Sequence, residues 1–291
     1  MPYETLTLTT YDWREIPNEL VNTFYVYCEE NLKNEEKLIM KVHVGCCGFP
    51  LGMKKYFQEF SLVELQSTFY KIPQLKTVQK WREEAPNNFI FTVKAFQGIT
   101  HPISSPTWKR SGMKDDEIKR LKDKVGFLKP TKEVFEFWNK TLEICKILNS
   151  PVCLIQLPAS FKESEENIKN AEKFFSRIEH NSISTALELR GWREEGFKKV
   201  CKKFDLISCV DPFASEPVWF SKRKIAYFRL HGSYERGRIN YNHKYTENEL
   251  KELKRKIESI EAKEVYCLFN NLWMKEDALR LKKMLNGPAG I

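Results

Sequence analysis

Four side chains suited to proton transfer and charge stabilisation lie at the ends of apolar runs of this 291-residue chain: Lys94 in FIFTVKA, Glu188 in TALELR, Asp211 in DLISCVD and His231 in IAYFRLHG. Imidazole has an ordinary pKa of about 6.5, so His231 is the natural general acid/base. Glu188 or Asp211 would orient or activate an attacking group, and Lys94 would add localised positive charge. These four form the expected catalytic set. The neighbouring polar residues are the expected substrate contacts. They are Glu64, Gln66, Ser67, Thr68 and Tyr70 around LVELQST, Gln156 in VCLIQLP, Arg190, Arg229, and Asn270 with Asn271 in VYCLFNN. His101 joins them from the loop that follows FIFTVKA. Arg236 and Arg238 join from GSYERGRINYNHKY, where basic residues alternate with Tyr234, Tyr241 and Tyr245. Arginines and aromatic rings together can grip a phosphate backbone and stack bases. Such cations suit phosphate or carboxylate groups, so the expected partner is an anionic small molecule or a nucleic acid.

Glu64, Glu188 and Asp211 could hold a divalent metal. Asn270 and Asn271 stand where a further carboxylate would strengthen that reading, and no His and Cys cluster suits zinc. A bound metal is therefore not favoured, and no cofactor is assigned.

These residues need elements that bring them together. The eight β-rich runs lie at 41–46, 62–68, 89–95, 152–158, 185–190, 205–211, 225–232 and 265–271. Amphipathic helical stretches separate them, among them LKTVQKWREEA, KEVFEFWNKTLEICKILN, SEENIKNAEKFFSRIEH, REEGFKKVCKKF and TENELKELKRKIESI. The last, KEDALRLKKMLN, stops at Asn286-Gly287-Pro288. Strand–helix alternation implies a parallel sheet covered by helices. Eight repeats in some 250 residues is the count that closes a barrel. The expected class is α/β, a (β/α)8 TIM barrel. An open doubly wound sheet is the rival, but the glycine-rich turn GxGxxG that usually marks one is absent. Residues 96–130 form a long basic loop after strand three, expected to be mostly solvated around a short helix at 115–124.

Parallel strands in a closed barrel are buried on both faces, so polar strand ends call for a reason. The two-residue period puts Glu64 with Gln66, Glu188 with Arg190, and Arg229 with His231 on common faces. Those pairs should enter the barrel mouth at its C-terminal rim, where barrel enzymes keep their chemistry. The competing reading is a structural network in which the charges only neutralise one another. Such pairs seldom add net stability, because desolvating each ion costs several kcal/mol.

VHVGCCGF, VELQSTFYKIP followed by TVQKW, FIFTVKAFQGITH, LIQLPASF, ALELRGW, FRLHG and VYCLFNN occur in this order from about residue 42 to 285. Together they resemble the successive motifs of the domain-of-unknown-function 72 family, the YecE-like barrels. The resemblance implies a TIM barrel and an intracellular location, and supplies no reaction. Two departures stand out. Gly45-Cys46-Cys47-Gly48 replaces the family's Gly-Thr-Ser-Gly, removing hydroxyls that could bind an oxyanion, and Gln66 replaces Asn.

Composition agrees with a folded intracellular protein. The chain is 42% hydrophobic and 30% charged, which argues against disorder, and its formal charge of +9 favours anionic partners. No run approaches the roughly 18 apolar residues that span a bilayer, and the start does not look like a signal peptide. Eight cysteines without a CxxC pair are expected to be reduced and structural. Cys46, read as lying in a Gly-flanked turn, is the one to watch. A cytoplasmic location is expected; nothing sets the oligomeric state. Residues 1–40 carry three basic against eight acidic residues, whereas the rest carries 45 against 31. The expected organisation is an acidic extension over 1–40, with a helix over about 17–38, and a barrel domain over 41–291.

The leading expectation is an enzyme acting by general acid/base chemistry on a phosphate-bearing substrate. In it Lys94, Arg190 and Arg229 hold the anion. The basic, aromatic loop puts nucleic acid ahead of a sugar phosphate. The alternatives are a noncatalytic nucleic-acid-binding protein and a sensor of a small phosphate ester on the same scaffold.

Overall fold

The computed structural model describes residues 40–178 and 183–286. The expected extension, apart from Met40, lies outside the described residues, as does its helix. The barrel strands are β1 (Lys41–Cys47), β2 (Leu62–Leu65), β3 (Ile90–Lys94), β4 (Val152–Gln156), β5 (Ser184–Glu188), β6 (Ile207–Val210), β7 (Ile225–Leu230) and β10 (Glu264–Phe269). They form a closed, all-parallel barrel, with β10 pairing with both β1 and β7. The short antiparallel hairpin β8 (Ser233–Glu235) and β9 (Arg238–Asn240) follows β7. Closure leaves the eight barrel strands without a free edge.

The strands form where β-branched and aromatic residues cluster, and their inward side chains fill the barrel. That core includes Leu62, Val152, Leu154, Ala186, Ile207, Ile225, Tyr227, Tyr266 and Leu268. Gly45 sits where β1 passes β2: a Cβ there would lie 2.2 Å from the Leu62 carbonyl oxygen, so only glycine permits the approach.

Most of the expected helices are present. In chain order, α1 is Met53–Glu59, α2 Ser67–Tyr70, α3 Leu75–Glu84, α4 Gln97–Thr100, α5 Asp115–Arg120 and α6 Lys132–Ile147. Then come α7 (Glu165–Phe175), α8 (Glu194–Phe204), α9 (Glu247–Ser259) and α10 (Met274–Asn286). Thr131, Ser164 and Thr246 cap α6, α7 and α9 by accepting backbone N–H donors.

Four expectations need correction. No helix lies between β6 and β7; residues 211–224 cross there as turns and extended chain. The run read as a strand to residue 68 stops at Leu65 and becomes α2. Cys46 lies inside β1, not in a turn, and burial pushes its thiol up to about 12. The loop over 96–130 is not mostly solvated: Phe96, Trp108 and Val125 form a small core with Ile103, Met113, Ile118, Leu121 and Phe137. Its two ends are clipped together, since Gly126, Phe127 and Leu128 donate N–H bonds to the carbonyls of Gly98, Thr100 and Ile99. Apolar residues spaced irregularly through a loop carry no periodic signal, which is why this satellite core was illegible.

Candidate functional site

The three period-two pairs do meet at the C-terminal rim, because inward positions of adjacent parallel strands converge there. Gln66 donates to Glu64, Arg190 Nε donates to Glu188 Oε1 at 2.6 Å, and Arg229 Nη1 lies 3.3 Å from His231 Nε2. The cluster then divides into a clamp inside the barrel and a part that borders a cavity.

The clamp is built around Arg229. Its Nη1 donates to Glu188 Oε2 at 2.6 Å and to Gln156 Oε1 at 3.1 Å, and its Nη2 to Glu64 Oε1 at 3.0 Å. Tyr227 supports Glu64 with a 2.8 Å hydrogen bond to Oε2 and meets the Thr92 hydroxyl at 2.8 Å. Arg229 is fully buried. Its role as an anion holder is therefore corrected: carboxylates and Gln156 occupy its terminal nitrogens, and Arg229 braces strands β2, β4, β5 and β7 from inside. Burial opposes ionisation of Glu188, but Arg190, Arg229 and His231 hold its carboxyl well below the usual range.

Lys94 sits beside this clamp. Its ammonium lies 4.1 Å above the Phe69 ring and 3.4 Å from Gln66 Oε1, with no carboxylate within 4.0 Å among the described residues. Burial, aided by Arg229, lowers its pKa to about 8. Burial and the positive charges of Lys94 and Arg190 push His101 down to about 3. The His101 ring packs edge-on to Phe69, and its Nδ1 meets the Thr100 hydroxyl at 2.8 Å. Histidine there anchors the long loop as a neutral ring.

The part that borders a cavity is built on Asp211 and His231, both themselves buried, which directly follow β6 and β7. Asp211 Oδ2 accepts the His231 backbone N–H at 2.9 Å and the Tyr234 hydroxyl at 3.1 Å, and lies 3.3 Å from His231 Nδ1. Asp211 Oδ1 accepts the Phe213 N–H at 3.0 Å. On the other side of the ring, Arg190 Nη2 lies 2.8 Å from His231 Nε2. Arginine can only donate, so Nε2 must be the accepting nitrogen and Nδ1 carries the proton toward Asp211. Burial lowers the His231 pKa against the opposing pull of Asp211 and Glu188, so the ring is neutral at neutral pH. The result is an aspartate-oriented imidazole of the kind that serves as a general base.

This dyad lines a cavity of ≈ 680 Å³ with Glu188, Arg190, Trp192, Tyr234, Arg238 and Tyr241 among its walls. Trp192, which stacks on Phe161 and donates to its carbonyl, closes one side. The sequence reading included Arg190, Arg238, Glu188, Asp211 and His231. It treated Tyr234 and Tyr241 only as loop aromatics and missed the Tyr227 support altogether. A tyrosine inside an apolar strand run is indistinguishable from packing until its hydroxyl is seen against a carboxylate.

The remaining expected contacts do not line that cavity. Glu64, Gln66, Lys94 and Gln156 belong to the clamp and its flank. Thr68 uses its hydroxyl on the carbonyls of Leu65 and Lys94, and Ser67 is exposed at the start of α2. Tyr70 stacks under the Arg110 guanidinium at 3.5 Å. Asn271 donates to His243 O and Asp277 Oδ2, bracing the loop before α9, while the Asn270 N–H donates to Leu230 O. Arg236 lies at the exposed hairpin tip, where it lines a second cavity with Arg238. Tyr245 is buried, exchanging hydrogen bonds with Gly232, and is packing rather than a stacking platform. Among the described residues no three His, Cys, Asp or Glu side chains are placed to hold a metal ion. No described helix is long and apolar enough to cross a membrane.

The model of the family described as "Protein of unknown function DUF72" matches residues 50–290. UPF0759 protein YunF from Bacillus subtilis (strain 168) is 24% identical, covering 75% of this chain and 80% of that protein. A solved DUF72 family protein from Enterococcus faecalis V583 is similar with a TM-score of 0.64 at 21% identity, covering 86% of this chain and 99% of its own. A xylose isomerase domain containing protein from Salmonella typhimurium LT2 shares the fold at a TM-score of 0.51 and 10% identity, covering 83% of this chain and 94% of its own.

Proposed function

Because the chain belongs to the DUF72 family, whose description assigns no reaction, we propose a function from the rim itself: an enzyme acting on a phosphate-bearing substrate by general acid/base chemistry. One observation carries this reading, the Asp211–His231 dyad opening on a cavity that also holds Arg190 and Arg238. His231 Nε2 takes a proton from the reacting group and Asp211 stabilises the imidazolium that results. Arg190 and Arg238 hold the anion. This step is common to hydrolysis, elimination and isomerisation.

Nucleic acid stands ahead of a sugar phosphate as the substrate. Tyr234 and Tyr241 are exposed large aromatic residues lining the same cavity, and Arg236 and Arg238 lie between them along the hairpin. Aromatic faces beside arginines stack bases without needing a particular sequence. The seven free cysteines among the described residues suit a reducing cytoplasm.

The test is conversion of labelled single- and double-stranded oligonucleotides and of sugar phosphates by wild-type and His231→Ala protein. Turnover by wild type that falls by two or more orders of magnitude in the variant supports the reading; full turnover by the variant removes His231 from the chemistry. The exposed hairpin also favours a second reading, a noncatalytic nucleic-acid-binding protein. Salt-sensitive oligonucleotide binding with no conversion, unchanged in Glu188→Gln, would select it.

A further inference from the structure

A base must have a free lone pair, and the lone pair of His231 is occupied. Arg190 Nη2 sits 2.8 Å from Nε2, while Arg190 Nε holds Glu188 Oε1 at 2.6 Å. The same guanidinium edge thus spans the carboxylate and the imidazole. The second arginine near Nε2, Arg229, is 3.3 Å away and fixed in its clamp. Arg190 differs from Arg229 in the respect that matters for movement: its side chain is 28% exposed against 1%, and it lines the cavity. It also leaves the barrel on the bend after β5, with no regular element to hold it.

We propose that Arg190 is a substrate-actuated cap on His231: it masks Nε2 in the empty site and is drawn off by an anionic phosphate group, which frees the base only when substrate is bound. The inference rests on the proposed role of His231 as the base and adds a regulatory step to it. Arg190 acts here as a positioning residue through His231. The outer guanidinium edge, Nη1 with the second proton of Nη2, has no protein partner among the described residues. It can catch two phosphate oxygens in a bidentate pair. Engaging that anion turns the fork away from an imidazole whose single neutral acceptor offers a weaker bond. Water reaching the empty site meets a histidine that cannot accept its proton, which restrains idle proton transfer.

The groups facing the ring from every element packed on it fix the sign of the effect. Glu188 and Arg190 come from β5 and its exit, Asp211 from the end of β6, Arg229 from β7, and Tyr234 and Tyr241 from the hairpin region. Removing the Arg190 cation leaves Asp211 and Glu188 to favour the imidazolium, and a bound phosphate adds negative charge. Both changes raise the affinity of Nε2 for a proton.

The experiment is an NMR titration of His231 in protein labelled at histidine Cε1, with the resonance assigned from His231→Gln. In the wild type His231 titrates below about 6.5. Arg190→Met should raise its midpoint by about one pH unit or more, and Arg190→Lys, which keeps the charge without the fork, by less. Saturating inorganic phosphate should raise the wild-type midpoint by a similar amount and have a much smaller effect in Arg190→Met. An unchanged midpoint in Arg190→Met overturns the cap while leaving His231 as a base. Phosphate that binds, seen as shifts at the rim, without moving the His231 midpoint overturns the release step. Phosphate that perturbs no resonance, in a protein whose Arg190→Met midpoint does rise, removes the phosphate reading and the release step together but retains the masking contact.

Discussion

Arg229→Met is the sharpest perturbation of the clamp. Methionine keeps the aliphatic stem and removes a guanidinium that bonds Glu64 Oε1 at 3.0 Å and Glu188 Oε2 at 2.6 Å, all three groups being buried. Breaking a buried pair by deleting one partner costs about 3–5 kcal/mol, because the other charge is left uncompensated. Glu188 keeps Arg190 at 2.6 Å, whereas Glu64 keeps hydrogen bonds to neutral groups, among them Gln66 and Tyr227. The lower end, about 3 kcal/mol, is therefore expected. For a domain of this size that corresponds to a fall in Tm of about 6–12 °C. Adding Glu64→Gln in the same chain removes the orphaned charge and should recover half or more of the loss, although Glu64→Gln alone destabilises. Differential scanning calorimetry of the four proteins at one pH and salt concentration closes the cycle. An Arg229→Met protein that melts within 2 °C of wild type, or a double variant that melts no higher than the single one, would refute the clamp's role.

Three further outcomes follow from the same geometry. Asp211→Asn should cut turnover of an identified substrate by about 100-fold or more while its binding constant stays within a factor of three; a proportional loss of binding would move Asp211 out of the chemistry. Lys94→Met should raise stability at pH 7 by as much as about 3 kcal/mol, since burial lowers the lysine from 10.5 to about 8. The sign follows from the unfolded chain binding the lysine proton more tightly, so the gain is full below about pH 8 and disappears by about pH 10.5; a denaturation series at pH 7 and 10 that showed an equal gain would refute it. Gly232→Ala should destabilise by about 1–3 kcal/mol and weaken phosphate binding, because Gly232 has φ +108° and a Cβ there would lie 2.2 Å from Asn240 O in the hairpin that carries Arg238. Wild-type melting and wild-type phosphate affinity in that variant would show that the turn can shift without moving the hairpin.

Some of this protein could be read from local pattern alone. Apolar β-rich runs between amphipathic stretches locate the eight barrel strands, because both signals depend on residues a few positions apart. The two-residue period likewise assigned Glu188 with Arg190 to one face, and those side chains do bond. Local pattern could not foresee the packed core of the long loop or the missing helix before β7. Nor could it rank the polar rim, where Arg190 and Arg229 look alike.

Barrel closure makes that distinction. Arg229 meets Glu64 across 165 positions of chain and Glu188 across 41, so its neutralisation depends on a register that exists only once β2, β5 and β7 are fixed around one core. Arg190 sits two residues beyond Glu188, where the strand has ended and the chain turns to solvent. Sequence therefore settled which residues are available at the rim. Tertiary structure settled which of them became scaffold and which face the cavity, because desolvation and partner distance are properties of the closed barrel and not of any segment in it.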